Sequence, residues 1–312
     1  MRILLFNPST EYALATGASF YTPPAVVEEF RVANQLLPEA WADHDDMILV
    51  DDPSVLRSSS VLVGWSDLER IYMQYPDARI EPWGWNHALR RRLLDNGVPE
   101  SSLPTLEYLD MLRSLAHRRT TILLNEEWND RSFAQGPVPL PVELFSEDDC
   151  VTFYRNNSGC WMKAPWSSSG RGVINTAADM EERHVRPWCR GIIRRQGSVM
   201  AETAADRVAD YATEWRLSDG KADYLGLSSF LTSNRGKYIS NSRVSQSQMK
   251  MQFDNQSAIR LYDVIDAQKE ILEKVLRGYE GLLGIDMIVE RSGALRPFVE
   301  TNLRRTMGML YL

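Results

Sequence analysis

The sequence predicts an α/β protein in which a small parallel-sheet domain is followed by an α+β region. Over roughly the first 100 residues, short apolar runs alternate with segments of helical spacing, which is typical of parallel βα units. From about residue 138 the apolar runs are short and separated by turns, as in antiparallel sheets. The 312 residues are 44% hydrophobic and 25% charged, an ordinary globular composition that excludes disordered, collagen-like and coiled-coil chains.

In the first region, each apolar run ends at turn residues, and segments with helical spacing alternate with these runs. The run 3–6 ends at Asn7-Pro8, which suits a buried strand. Gly97 stands where the C-terminal cap of a helix belongs. We therefore predict strands over 3–6, 47–50 and 61–63, and helices over 26–37, 86–96 and 109–128.

The second region reads as two sets of short strands with one helix. The predicted strands are 138–145, 160–164, 173–175, 199–201, 211–217, 222–230, 236–240, 285–290 and 295–302, and the helix is 267–276. The polar segment 240–256 is predicted to be a loop, either mobile over a site or simply exposed.

Charge and cysteine usage exclude several classes of protein. The net charge is −7 and there is no basic block of five residues, so we expect no nucleic-acid partner. The three cysteines and four histidines have no zinc-ligand spacing. The N-terminal apolar run is too short for a signal peptide, and there is no run of 18 apolar residues. We expect a cytoplasmic protein with reduced thiols and no membrane partner.

The first chemical motif is an apolar strand with one lysine, followed by a loop of small residues. Lys163 precedes the loop Ser167, Ser168, Ser169, Gly170, Arg171 and Gly172. Small residues let backbone N–H groups approach an anion, and the lysine adds a positive charge for a phosphate. A polar hairpin turn with an edge lysine explains this segment equally well when it is taken alone.

The second motif is a C-terminal hairpin that carries acids within apolar strands. Side chains alternate along a strand, so Glu300 and Asn302 share a face. A three-residue turn at 292–294 would place Asp286 opposite Glu300. Two carboxylates and an amide oxygen suit Mg²⁺ held against nucleotide phosphates. Surface alternation on a hairpin is the alternative.

A third segment is weak by itself. The strand 199–201 ends at Glu202, and the acids Asp210 and Glu214 follow about eight residues later. A connector with solvated acids is the simpler interpretation of this segment.

Together, the order and spacing of the three segments resemble the ATP-grasp superfamily of ligases. The most specific part is the block from Gly284-x-Asp286 to Glu300-x-Asn302-x-Arg304 and Gly308. The resemblance implies an N-terminal Rossmann-like domain over 1–112, a small ATP-grasp lobe over 113–200 and a large lobe with the metal site over 201–312.

The resemblance also implies a role for each matching residue. Asp286, Glu300 and Asn302 would hold Mg²⁺, and Lys163 and Arg304 would stabilise the transferring phosphoryl group. Asp210 would bind the ribose, with Glu214 competing for that role. The residues implied to bind ATP are Arg118, Lys163, Ser167, Ser168, Ser169, Gly170, Gly172, Glu202, Thr203, Ala204 and Asp210.

Two positions depart from the family pattern. Arg118 stands where a first lysine is common, which keeps the positive charge. Gly284 and Ile285 precede Asp286 where relatives of D-alanine ligases have an arginine, which disfavours that substrate class.

The resemblance implies an ATP- and Mg²⁺-dependent ligase that joins a small-molecule or peptide carboxylate to an amine through an acylphosphate. A phosphotransferase acting on a hydroxyl, and a nucleotide-binding protein without catalysis, stay open as alternatives. Substrate identity is expected in the N-terminal domain and the polar loop. Asn7 and Thr10 follow the first strand, and Trp83 and Trp85 follow another, where they form either an aromatic wall for a substrate or packing between domains. Arg243 and Lys250 are candidates for holding an acidic substrate. The oligomeric state is open, with a homodimer among the options.

Overall fold

The computed structural model describes residues 1–157, 159–167, 172–176, 181–233 and 238–312. They form two compact units, Met1–Ser114 and Leu115–Leu312. Within the described ranges, each helix is too short or too polar to cross a membrane.

The first unit is built on a parallel four-stranded sheet. Its strands are β1 (Arg2–Leu5), β2 (Met47–Val50), β3 (Val61–Gly64) and β4 (Arg79–Pro82), in the order β3-β2-β1-β4. The helices are α1 (Thr10–Thr16), α2 (Ala25–Ala33), α3 (Leu68–Gln74), α4 (His87–Asp95) and α5 (Leu106–Leu115). Helix α4 is capped by Asn86, whose Oδ1 accepts from the Leu89 N–H at 2.9 Å.

Polar and aromatic residues at the carboxyl ends of β1 and β4 contact each other. Asn7 Nδ2 donates to the Gly84 carbonyl at 2.7 Å and to Thr10 Oγ1 at 3.1 Å. Trp83 is buried against Phe6, with ring centroids 5.0 Å apart. Asn7, Thr10 and Trp83 therefore have structural partners inside this unit, and their expected role in substrate binding stays a prediction.

The second unit begins with a small antiparallel sheet covered by helices. The strands are β5 (Val142–Leu144), β6 (Trp161–Lys163), β7 (Val173–Asn175) and β8 (Val199–Glu202), in the order β5-β8-β6-β7. The helices are α6 (Thr120–Asn129), α7 (Glu147–Asn156) and α8 (Glu182–Gln196). All three cysteine thiols are free and lie in the core between this sheet, α7 and α8.

A larger antiparallel sheet completes the second unit. Its strands are β9 (Arg207–Ser218), β10 (Lys221–Thr232), β11 (Tyr238–Asn241), β12 (Gly281–Glu290) and β13 (Leu295–Asn302), in the order β11-β10-β9-β12-β13. Helices α9 (Gln246–Gln256) and α10 (Leu261–Val275) accompany it.

Helices α1, α3, α7 and α8 are not among the elements predicted from the sequence, and two of the predicted elements are wrong. The helix predicted over 109–128 is two helices, α5 and α6, because the chain turns at His117, where the ring Nδ1 accepts from the Arg119 N–H at 2.9 Å. The predicted loop over 240–256 is wrong from residue 246 onward. Ser245 caps α9 through a capping box with Gln248, and Met249 and Phe253 are buried four residues apart.

Candidate active site

Asp286 and Glu300 lie directly opposite each other across the β12–β13 ladder. The sequence predicts this pair from a three-residue turn at 292–294 and a regular ladder. In the structure the same pair forms, but the strand register changes between the turn and Asp286. Next to the turn, Val289 lies opposite Leu295, which is two residues out of the predicted register. An irregularity in the ladder just beyond Asp286 restores the pairing.

Side chains from two helices hold the backbone of this irregular segment. Pro297 lies within it and brings no N–H to the ladder. Its carbonyl accepts from Gln268 Nε2 on α10 at 2.9 Å, and the Phe298 carbonyl accepts from Asn125 Nδ2 on α6 at 2.9 Å. Both amides are buried. The helices thus fix the register of the strand that carries Glu300.

Arg118 connects the strand of Glu300 to the segment after β6. Its Nη1 donates to the Ala164 carbonyl at 2.9 Å and to Ser167 Oγ at 2.6 Å, and its Nη2 donates to Glu300 Oε1. The side chain is buried. One planar guanidinium therefore connects a segment predicted to bind phosphate with a strand predicted to bind Mg²⁺.

Lys163 and Glu202 form an ion pair at the ends of β6 and β8. Lys163 lies opposite Met200, so Glu202 is its diagonal neighbour across the two strands. Lys163 is only 8% exposed. Burial directs its ammonium toward the carboxylates of Glu202 and Glu300.

The predicted phosphate loop is described at its two ends. Gly172 has a φ of +71°, and a Cβ there would lie 3.0 Å from the Ser167 Cβ, so the return of the loop requires glycine. The Gly172 carbonyl accepts from the Ala164 N–H at 2.7 Å. Ser168, Ser169 and Gly170 lie outside the described residues.

The segment after β8 is held by Arg296. Its Nη1 donates to the Thr203 carbonyl at 2.9 Å, its Nη2 to the Ala204 carbonyl at 3.1 Å, and its Nε to Glu290 at 2.6 Å. The sequence analysis does not identify Arg296. Because Arg296 holds two successive carbonyls, it fixes the backbone that is predicted to face adenine.

Replacing Arg296 with alanine is expected to weaken ATP binding roughly tenfold, or by about 1.4 kcal/mol, because the backbone of Thr203 and Ala204 would no longer be fixed before ATP binds. Titration calorimetry with MgATP measures the change. Arg131→Ala is the matched control, because Arg131 forms a more exposed ion pair with Glu270. Equal ATP affinity in Arg296→Ala and wild type would contradict this role.

A cavity of about 400 Å³, the first cavity, brings most of the predicted residues together. This volume lies within the range of small-molecule sites. The predicted residues in its wall are Arg118, Lys163, Glu202, Thr203, Ala204, Asp210, Asp286 and Glu300. Ser167 and Gly172 are not lining residues of this cavity, although Ser167 Oγ accepts from Arg118, which is one.

A smaller second cavity, of about 170 Å³, shares the lining residues Phe230, Thr232, Asp286 and Glu300 with the first. Asp286 and Glu300 belong to its wall as well as to that of the first cavity. Asn302 and Arg304 line the second cavity. Arg304 Nη2 donates to Asn302 Oδ1 at 3.2 Å.

The two candidates for the ribose acid lie in different cavities. Asp210 lines the first cavity and accepts from Thr232 Oγ1 at 2.7 Å and Arg207 at 3.1 Å. Burial raises the pKa of the Asp210 carboxyl. Glu214 lines the second cavity instead. Because Asp210 and not Glu214 lines the first cavity, Asp210 is the better candidate for binding the ribose.

Burial and mutual repulsion act on the opposed carboxylates. Burial raises the pKa of Asp286 well above its ordinary value, and the charge of Glu300 raises it further. At Glu300 burial also raises the pKa, but Arg118 outweighs this effect and the pKa is lowered. A divalent cation between the two would favour the charged form of both.

Glu214 is fully buried in the second cavity's wall. Its Oε1 accepts from Ser228 Oγ and its Oε2 from Thr306 Oγ1, both at 2.8 Å. A Cβ at Gly308 would lie 2.1 Å from Glu214 Oε1, so the carboxylate occupies the space of that missing side chain. Burial raises its pKa to about 7.

Glu214→Gln is expected to stabilise the protein at pH 8 and to have little effect at pH 5. In the folded state the pKa is raised, so the contribution of Glu214 to stability is present below pH 4.5 and is lost as the pH rises through about 7. The loss is on the order of 3 kcal/mol. Thermal melting at both pH values should show a gain of several degrees at pH 8 alone. A pH-independent difference would contradict the buried charge.

Comparison with known proteins yields a match in fold and none in sequence. No family model matches the chain, and no curated protein matches it in sequence. Biotin carboxylase from Campylobacter jejuni superposes with a TM-score of 0.58 at 11% identity, over 98% of this chain and 66% of that chain. L-amino acid ligase from Bacillus licheniformis superposes with a TM-score of 0.53 at 10% identity, over 99% of this chain and 69% of that chain.

A third match is N5-carboxyaminoimidazole synthetase from Staphylococcus aureus in complex with ADP, with a TM-score of 0.53 at 9% identity, over 98% of this chain and 71% of that chain. The chain has the ATP-grasp fold. The predicted fold class is thereby confirmed.

Within the ATP-grasp fold, the individual site residues stay predictions. In the described part of the chain, no group of three His, Cys, Asp or Glu side chains is arranged to hold a metal ion. The predicted magnesium set contains two carboxylates and one amide, Asp286, Glu300 and Asn302. Ser228 and Thr306, which donate to Glu214, could not be predicted from the sequence, because a single hydroxyl in a strand or loop carries no local signal.

Proposed function

We propose that this protein is an ATP- and Mg²⁺-dependent ligase that joins a carboxylate to an amine through an acylphosphate. The observation that carries the proposal is the shared wall, because Asp286 and Glu300 line both cavities. A nucleotide in the first cavity and an acceptor in the second would meet at these carboxylates. The similarity in fold to a synthetase, a carboxylase and a ligase supports this class of reaction.

The donor set suits Mg²⁺. Asp286, Glu300 and Asn302 offer hard oxygen ligands. Burial and, after it, the charge of Glu300 raise the pKa of Asp286, and a cation would relieve the repulsion between the two carboxylates. When bound, Mg²⁺ would neutralise charge on the nucleotide phosphates.

The chain's own residues would do the remaining work by positioning and charge. The backbone of Thr203 and Ala204 would bind the adenine base, and Asp210 would bind the ribose. Lys163 and Arg118 would bind phosphate oxygens from the first cavity, and Arg304 would act from the second.

Two displacements complete the proposed reaction. A substrate carboxylate oxygen attacks the γ-phosphorus, the bond from that phosphorus to the bridging oxygen breaks, and ADP leaves. The amine nitrogen then attacks the acyl carbon, the bond from carbon to the phosphate oxygen breaks, and inorganic phosphate leaves as the nitrogen loses its proton. No nucleophilic side chain is required.

Hydroxylamine trapping tests the proposal. The protein is incubated with MgATP, hydroxylamine and each of a panel of carboxylic acids, and hydroxamate and ADP are measured. We expect equal amounts of hydroxamate and ADP with at least one acid. ADP formation with a phosphorylated hydroxyl product would indicate a phosphotransferase instead. If MgATP neither turns over nor raises the melting temperature, the nucleotide site itself is refuted.

A further inference from the structure

His117 is a buried histidine that the proposed reaction leaves without a role. It lies in the turn before α6 and is 2% exposed. It lines neither the first nor the second cavity, whereas its sequence neighbour Arg118 lines the first and pairs with Glu300. A nucleotide in the first cavity would therefore touch Arg118, and His117 could affect it only through its neighbours.

The hydrogen bonds of the ring define where its proton lies. Nδ1 accepts from the backbone N–H of Arg119 at 2.9 Å, and a ring nitrogen accepts only when it carries no proton. Arg119 Nη2 lies 3.1 Å from His117 Nε2, but a neutral ring has one acceptor nitrogen, and this guanidinium also lies 3.1 Å from Glu143 Oε1. The lone pair of the ring is therefore used by the backbone N–H, and the proton is on Nε2.

Glu143 on β5 lies on the other side of the ring. Its Oε1 is 3.5 Å from His117 Nε2 and accepts from Ser198 Oγ at 2.6 Å. A carboxylate that faces one ring nitrogen favours the tautomer in which that nitrogen carries the proton. Glu143 thereby keeps Nδ1 available to the backbone.

The bond from the Arg119 N–H to Nδ1 spans Arg118. Its donor and acceptor belong to the residues on either side, so it closes a turn of the kind that Asn and Asp side chains form with the N–H two residues on. Inside this turn, the Arg118 N–H donates to the Pro165 carbonyl at 3.0 Å. The backbone that directs the Arg118 side chain is therefore fixed before a ligand binds.

The His117 ring also packs on the segment that Arg118 holds. Its centroid lies 4.4 Å from that of Trp166, edge to face. The neighbours of Trp166 accept from Arg118, Pro165 from its N–H and Ser167 from its guanidinium. Packing by itself needs no acceptor nitrogen, and a general acid or base needs a nitrogen that reaches substrate. Neither role accounts for a ring with Nδ1 on the backbone and Nε2 facing a carboxylate.

We propose that His117 is a positioning residue for ATP binding, and that its Nδ1 lone pair fixes the turn that directs Arg118 toward the nucleotide phosphates and Glu300. The inference deepens the proposed function and rests on its nucleotide site.

Three substitutions separate the acceptor from the ring. His117→Asn keeps an acceptor for the Arg119 N–H and removes the ring, His117→Phe keeps a ring against Trp166 and removes the acceptor, and His117→Ala removes both. MgATP affinity is measured by titration calorimetry, and hydrogen exchange of the Arg119 amide is measured without ATP. His44→Asn is the control, since His44 is a fully exposed histidine.

We expect His117→Phe and His117→Ala to weaken MgATP binding about tenfold, and His117→Asn to stay within about threefold of wild type. Exchange of the Arg119 amide should be faster in the first two variants and nearly unchanged in His117→Asn. His44→Asn should match wild type in both measurements. Melting curves show which variants are folded, and if His117→Phe does not fold, the comparison of His117→Asn with His117→Ala decides.

The outcomes separate this inference from the ligase proposal. Wild-type affinity in His117→Phe, or His117→Asn no better than His117→Ala, would overturn the inference, while hydroxamate formation by wild type would leave the ligase proposal standing. If wild type binds no MgATP, the nucleotide site is refuted, and the role of His117 in ATP binding is refuted with it. Amide exchange then still shows whether Nδ1 holds the turn.

Discussion

Replacing Glu300 with glutamine is expected to lower ATP turnover at least a hundredfold while the protein stays folded. Removal of one electrostatic stabiliser of a transition state typically costs roughly 10²–10³ in rate. Glu300 lies opposite Asp286, accepts from Arg118 and borders both cavities. The substitution also removes the repulsion that raises the pKa of Asp286, which offsets part of the lost ion pair.

Two measurements test this expectation. Turnover is measured with the acid identified by hydroxylamine trapping, and melting curves are recorded with ATP in the presence and absence of Mg²⁺. In wild type Mg²⁺ should increase the stabilisation by ATP, and in Glu300→Gln this increment should disappear. Glu270→Gln serves as the control for charge. Wild-type turnover in Glu300→Gln would refute its assignment as a metal ligand.

Replacing Arg118 with alanine is expected to damage both stability and catalysis. Removing one partner of a buried ion pair typically costs about 3–5 kcal/mol, because the other charge stays buried and unpaired. Here Glu300 would lose its partner, and Ala164 and Ser167 would lose a shared donor. Chemical denaturation and the turnover assay measure the two effects.

Arg118→Lys and a double substitution sharpen this test. Lysine keeps the charge but not the planar fork, so we expect partial recovery of ATP binding with incomplete recovery of stability. In Glu300→Gln, the Arg118→Ala change should cost less than in wild type, since no buried carboxylate is stranded. Strict additivity of the two substitutions would show that the ion pair does not couple them.

Some candidate site residues could be proposed from local patterns in the sequence, and the resemblance to the ATP-grasp superfamily implied the others. Lys163 interrupts an apolar strand, and Asp286 and Glu300 stand between apolar neighbours on a hairpin. These patterns depend on the alternation of side chains along a strand, which needs no knowledge of the rest of the chain. The same reasoning could not separate Asp210 from Glu214, because their cavities are formed by distant segments.

The errors in secondary structure have a similar cause. The turn at 116–119 interrupts a sequence with good helical periodicity, and its backbone is held by a tertiary contact between the Arg118 N–H and the Pro165 carbonyl, 3.0 Å apart. Helix α9 was missed because its segment is polar, although the Ser245–Gln248 capping box was a local signal that could have identified it.

The sequence by itself determined the fold class, the strands and helices that carry the candidate residues, and the chemical type of those residues. Periodicity, caps and residue chemistry are local properties, and they survive in any correct fold of the chain. Tertiary structure decided which residues share a cavity. It set the Asp286–Glu300 pairing through an irregularity held by Gln268 and Asn125, and it buried Glu214 beside two hydroxyls and a glycine. Such arrangements depend on contacts between residues far apart in sequence, which no local pattern encodes.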